Sequence, residues 1–284
     1  MEEHDVKLSF WSKDDLICPA CGTVFRREEL LSGGGRLIAG GLTDELHRLY
    51  EPSAKYGEVF PLAYQATVCP ECWYAAMDKD FALLGEDICF DVSQSCDERK
   101  AEVALLFPNV DFYQNRTLMA GAASQYLALR CYDYFSKNFS PTIKQGIAAL
   151  RTAWLCEDLH RKMPGEHYDW VATLFKKKAQ YLYEKALAFE QSGGEALSAA
   201  KNLGPDTDKN YGYEGVLYLV GLLTLKYGYA DSLEQRNASL ESIKRIIAKI
   251  FGLGRSSKNK PGPLLELVKN LYNRIKKELN EVDD

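Results

Sequence analysis

Long apolar runs are missing from this 284-residue chain. The longest, Val216 to Leu225, is far too short to span a bilayer. The opening Met1-Glu2-Glu3-His4-Asp5 is acidic with no apolar run behind it, so no secretory signal is expected. Histidine is scarce, at four residues, and no His-x-x-x-His pair, P-loop or Ser/His/Asp order is present. Those absences remove the common metalloprotease, nucleotide-hydrolysing and serine-hydrolase signatures. Positive charge is short where a nucleic-acid module would need it. Residues 1–100 hold 10 Lys and Arg against 19 Asp and Glu, whereas residues 233–284 hold 11 against 7. Phosphate contacts depend on Lys and Arg, so only the C-terminal region suits that role. Eight cysteines, four of them scattered, fit a reduced cytoplasmic protein better than a disulfide scaffold.

The other four cysteines are not scattered. Cys18-Pro19-Ala20-Cys21-Gly22 and Cys69-Pro70-Glu71-Cys72-Trp73 each carry Cys-Pro-x-Cys. A tight turn at that spacing points both sulfurs into one small volume. Pro19 and Pro70 pre-set φ for the turn, and Gly22 supplies the left-handed freedom needed after it. Two such turns make a closed four-thiolate shell, which suits a structural Zn²⁺ with no open coordination position. A redox dithiol would account for one pair but not for two, both with proline second. Rubredoxin-like iron is the other alternative. Metal ligands are therefore expected at Cys18, Cys21, Cys69 and Cys72. The 47 residues between Cys21 and Cys69 exceed the roughly 15–20 of a compact two-knuckle pattern, so the insert must leave the site and return.

Strands are expected at 6–17 and from Thr23 to Arg27 around the first knuckle, and at 58–68 leading into the second. Ser32-Gly33-Gly34-Gly35 and Gly40-Gly41 read as loop or hairpin end, since no Lys-Ser/Thr follows to complete a phosphate cradle. Thr43 to Tyr50 reads as a short helix carrying a surface His47, and Tyr74 to Leu84 as a helix ended by Gly85. Residues 86–115 are a less regular connection. Cys89 lies there in a strand-like run, and a short helix from Glu98 is stopped by Pro108. Asp78, Asp80, Glu86 and Asp87 read as a solvated acidic helix face.

Helical periodicity then takes over. Leu118, Ala122, Tyr126, Leu129 and Tyr132 share one face, as do Ile143, Ile147, Leu150 and Trp154 after the Ser140-Pro141 start. Phe175, Ala179, Leu182, Ala186 and Phe189 mark a third helix. A fourth, about Asn210 to Tyr227, is apolar on most sides and so is expected between neighbours. Two more follow, through Leu240, Ile243, Ile247 and Ile250, and through Leu264, Val268, Leu271 and Ile275. Cys131 and Cys156 fall on apolar helices, where a buried inert thiol is expected. Among the 17 tyrosines, Tyr126, Tyr132, Tyr181, Tyr183, Tyr211, Tyr213 and Tyr218 are candidates for inter-helix seams or a concave groove.

The order of motifs carries a resemblance. The first knuckle is followed by Leu42-Thr43-Asp44-Glu45-Leu46-His47-Arg48-Leu49-Tyr50. Pro61-Leu62-Ala63-Tyr64 comes next, then Val68-Cys69-Pro70-Glu71-Cys72-Trp73-Tyr74-Ala75-Ala76. This resembles the bacterial family named domain of unknown function 2225. Its members look like an N-terminal zinc ribbon with a long insert, followed by helices similar to tetratricopeptide repeats. The family's second knuckle usually reads Cys-Pro-x-Cys-Gly-Tyr-Ala, and Trp73 stands in the glycine place here. The resemblance implies an architecture and no reaction.

The reading is a mostly α protein with a small N-terminal α+β zinc-ribbon-like module and a tetratricopeptide-like antiparallel helical array. The expected division is residues 1–86 for the module, 87–116 for the connection and 117–284 for the helices. The expected function is non-enzymatic: a cytoplasmic scaffold whose helical groove holds a protein or peptide. The second reading is a nucleic-acid-associated zinc-ribbon protein that contacts phosphates through Lys244, Arg245, Lys249, Arg255, Lys258 and Lys260. An enzyme whose site carries none of these motifs is the third.

Overall fold

A computed structural model describes residues 7–253 and 262–279. Three antiparallel strand pairs come first: β1 (Ser9–Ile17) with β2 (Val24–Leu30), β3 (Ile38–Leu42) with β4 (Arg48–Glu51), and β5 (Ala66–Val68) with β6 (Ala75–Met77). Eight α-helices follow among the described residues: α1 (Cys89–Gln94), α2 (Cys96–Leu106), α3 (Leu118–Cys131), α4 (Pro141–Lys162), α5 (Tyr168–Ser192), α6 (Gly212–Tyr227), α7 (Leu233–Leu253) and α8 (Gly262–Glu278). The protein is thus mostly helical with a small N-terminal α+β module.

The described residues form two compact units. Residues up to 136 together with 148–175 form one, and 137–147 together with those from 176 onward form the other. The expected boundary at 116/117 falls inside the first unit, because α3 is seated on the second knuckle's strands. Thr117 caps α3 by accepting from the Ala120 amide at 3.1 Å. Gly121 lets the helix backbone meet Ala63: a Cβ there would lie 2.8 Å from the Ala63 Cα. One turn on, Gln125 Nε2 donates to the Leu62 carbonyl at 3.0 Å. At the helix end, the Ala75 amide meets Cys131 Sγ at 3.4 Å, and the Tyr132 hydroxyl donates to Asp80 at 2.7 Å while accepting from the Met77 amide.

Several expected elements differ. Residues 43–50 are a turn followed by β4, not a helix. The Thr43 hydroxyl accepts from the His47 amide, and Leu46 takes φ +63°, a left-handed conformation that helical residues do not adopt. His47 is not on an open surface. Its ring stacks on Trp154 at 4.3 Å, and the Trp154 indole donates to buried Glu45 at 2.7 Å. Residues 74–84 form β6 and a short 3₁₀ turn at Phe81–Leu83, since the chain leaving the second knuckle pairs back onto β5, Val68 opposite Ala75. The expected strand at 58–68 is strand only in β5, after a 3₁₀ turn at Pro61–Tyr64. Cys89 begins α1 and is not in a strand. Of the expected solvated acidic face, Glu86 and Asp87 are exposed on a 3₁₀ turn, whereas Asp78 pairs with Arg27 at 2.8 Å and accepts from Thr67, and Asp80 accepts from Tyr132.

In the second unit, α6 is buried nearly all round, as its sequence required. Gly221 brings it against Ile247 of α7 and Leu271 of α8. Arg236, at the start of α7, donates to the Thr224 and Leu225 carbonyls at the end of α6 and pairs with Glu278 at the end of α8. The helices α6, α7 and α8 therefore run antiparallel in succession. The expected apolar faces of α7 and α8, Leu240 to Ile250 and Leu264 to Ile275, are buried.

Candidate metal centre

Each knuckle is a strand–turn–strand unit, and the two repeat one hydrogen-bond pattern. The Cys18 amide donates to the Thr23 carbonyl at 2.9 Å, and the Gly22 amide to the Cys18 carbonyl at 2.9 Å. In the second knuckle the Cys69 amide donates to Tyr74 at 2.9 Å, and the Trp73 amide to Cys69 at 3.0 Å. Gly22 has φ +76° and Trp73 φ +58°. The tryptophan therefore takes the left-handed conformation that glycine takes in the first turn, at a backbone cost of about 1–2 kcal/mol. Its ring packs edge-on against Phe112 at 5.2 Å, which holds it in place.

The turns meet face to face. Cys18 Sγ lies 3.6 Å from Cys72 Sγ, Cys21 Sγ lies 3.6 Å from Cys69 Sγ, and all four sulfurs lie within 4.8 Å of one another. A disulfide needs ~2.05 Å, so these are four free thiols. Tetrahedral zinc with Zn–S bonds of ~2.3 Å would set its sulfurs ~3.8 Å apart, close to the two 3.6 Å contacts. Cys18, Cys69 and Cys72 are buried and Cys21 half-buried.

Sulfur–sulfur hydrogen bonds from Cys18 and Cys72 hold the Cys69 thiol down at about 2, helped by the Glu71 and Cys72 amides. The matching bond to Cys69, with burial, pushes Cys18 up to about 12, and Cys72 is raised by the same kind of contacts. Without a metal these contacts favour ionisation of Cys69 over Cys18 and Cys72. A cation at the centre would let all four ionise. Among the described residues this is the one group of three or more Cys, His, Asp or Glu side chains close enough to hold a metal ion.

The four expected ligands are thus brought together. Cys89 and Cys96 lie outside the cluster, bonding the Gly85 and Glu71 carbonyls at 3.2 and 3.7 Å. Cys131 and Cys156 are fully buried, and burial raises both thiols. Of the candidate tyrosines, Tyr132, Tyr183, Tyr211 and Tyr218 are buried, Tyr126 is half-buried, and Tyr181 and Tyr213 are exposed. Lys244 pairs with Glu241 at 3.1 Å, while Arg245 and Lys249 are exposed. Arg255, Lys258 and Lys260 lie outside the described residues. Sequence reasoning missed Arg99 of α2, buried behind the second knuckle. An arginine on a polar helix reads as solvent-facing, and no local signal marks it.

A family model described as "Uncharacterized protein conserved in bacteria (DUF2225)" matches residues 11–275. The chain belongs to the DUF2225 family. A relative described as "Uncharacterized protein" from Borreliella burgdorferi (strain ATCC 35210 / DSM 4680 / CIP 102532 / B31) is 40% identical over 277 residues, covering 97% of this chain and 99% of that one. No solved structure matches. In this DUF2225 protein, no helix among the described residues is long and apolar enough to cross a membrane.

Proposed function

We propose that this protein is a non-enzymatic interaction protein of the bacterial cytoplasm. Its N-terminal module is folded around a structural Zn²⁺ held by Cys18, Cys21, Cys69 and Cys72, and its helices hold a protein or peptide. The observation that carries the reading is the closed sulfur cluster. Four thiolates fill a tetrahedral shell and leave no position for water or substrate, so the metal would supply folding energy and no Lewis-acid step. Binding then falls to the helical surface. Tyr181, exposed and flanked by Lys178 and Lys185 at 5.9 and 5.8 Å from its ring, is the aromatic anchor best placed in the second unit.

Hydrogen exchange, segment by segment, tests the structural role. Cys69→Ser should lose protection from about Leu16 to Leu84 and in α3, which is seated on β5 and β6. It should leave α6 to α8 protected. Unchanged protection throughout would refute a structural metal. A photo-crosslinker at Tyr181 should form adducts with partner protein in bacterial extract, while one at buried Tyr183 should not; no adduct at either Tyr181 or Tyr213 would refute the binding surface.

A further inference from the structure

Arg99 is 2% exposed, on the face of α2 that grips the second knuckle. Its Nη2 donates to the carbonyl of Cys72 at 2.6 Å, and Nη1 donates to the Ser95 hydroxyl at 2.6 Å. One turn earlier on the same face, Cys96 Sγ contacts the Glu71 carbonyl at 3.7 Å. Nε has no partner. Each of these partners is neutral. Two acids of α2 are engaged elsewhere: Glu98 and Glu102 pair with Arg130, at 3.7 and 2.8 Å. A buried guanidinium without a carboxylate is costly and persists where some other negative charge compensates it.

A metal-thiolate centre would supply that charge. Zn²⁺ with four thiolates carries a net charge of about −2, in a site whose sulfurs are mostly withdrawn from water. Arg99 is bonded to the backbone of one of its ligands. We infer that Arg99 is the built-in counter-charge of the metal-thiolate centre: it stabilises the fully ionised four-sulfur shell and fixes the second knuckle through the Cys72 carbonyl. The inference rests on the zinc reading above. One observation separates this role from plain packing. The fork spends its hydrogen bonds on neutral acceptors, although Glu98 and Glu102 sit on the same helix. Arg99 touches no substrate and is a positioning residue for the metal shell.

The test is competition of Zn²⁺ between the full chain and a chromophoric chelator, with the pH of half-release followed by Cd²⁺–thiolate absorbance. Arg99→Met should weaken zinc binding roughly 10- to 100-fold and move half-release to higher pH, because the thiols become harder to ionise. Arg99→Lys keeps the charge and should recover most of that loss. In a Cys18→His background, where the centre's charge falls to about −1, Arg99→Met should cost less than in the four-cysteine protein. Equal losses for Arg99→Met and Arg99→Lys, the same cost in both backgrounds, or an unmoved release pH would overturn the inference while leaving the zinc site standing. Failure of the unaltered chain to bind Zn²⁺ or Cd²⁺ would overturn the site itself. Should Arg99→Met not fold, Arg99→Lys decides alone: affinity within about tenfold of the unaltered chain supports the role, and complete loss refutes it.

Discussion

Gly121→Ala tests how α3 is joined to the second knuckle. In an ordinary helix this change stabilises by about 1 kcal/mol, because alanine restricts the unfolded chain more than glycine does. Here the added Cβ would lie 2.8 Å from the Ala63 Cα, whereas carbon atoms rest at about 3.5–4.0 Å. The neighbour is backbone held in the Pro61–Tyr64 turn that leads into β5, so it cannot swing aside as a side chain would. Helix and turn must separate by about 1 Å, which also stretches the Gln125 bond to the Leu62 carbonyl. Overpacking costs about 1–3 kcal/mol, and a weakened buried hydrogen bond adds about 1 kcal/mol. Set against the propensity gain, the net loss is about 2 kcal/mol, or roughly 4–8 °C in the melting temperature of a unit this size. Calorimetry of the zinc-loaded chain reads it. Gly221→Ala, which meets the flexible Ile247 Cδ1 at 2.7 Å, should lose less. A Gly121→Ala protein that melts at or above the temperature of the unaltered chain would show that α3 is not seated on Ala63.

Trp73 adopts φ +58° and packs on Phe112. Trp73→Ala keeps the backbone penalty and loses the ring, so it should be less stable than Trp73→Gly by about 1 kcal/mol in urea titration; the reverse order would contradict the left-handed turn. Glu45→Ala strips the acceptor from the buried Trp154 indole and should cost about 1–3 kcal/mol, with a change in tryptophan fluorescence; an unchanged unfolding midpoint would argue against the hairpin tip docking on α4. Glu58 accepts from Lys162 and Arg161, and these cations hold its carboxyl below 4.5. A depressed carboxyl contributes stability that is present above its unfolded value and lost as pH falls through the folded one. Lys162→Met should therefore raise the Glu58 midpoint in an NMR titration, and an unmoved midpoint would show that the pair does not persist in solution.

The cysteines were legible because their chemistry is local. Cys-Pro-x-Cys makes its own turn, and two of them need only meet. Five of the six long helices from Leu118 onward were legible because each carries an apolar stripe, and α6 because it is apolar on most sides. What failed was short and depended on partners distant in sequence. Thr43-Asp44-Glu45 looks like a helix start. Its carboxylate is instead taken by Trp154, and Leu46 turns left-handed. Tyr74 to Leu84 has helical composition, but pairing with Ala66–Val68 makes its first residues a strand. Trp73 shows a local preference overridden by tertiary structure, where ring packing holds a backbone angle that glycine would adopt freely. Arg99 had no sequence signal at all, because its meaning depends on a carbonyl 27 residues earlier in the chain.

The claim on which the account rests is that Cys18, Cys21, Cys69 and Cys72 hold one structural zinc. Metal analysis of the full chain, purified from zinc-replete cells without added metal, tests it most directly. About one zinc per chain is the predicted result, with none retained by a variant lacking Cys69 and Cys72. A metal-free chain with its fold intact, or a red chain loaded with iron, would contradict it.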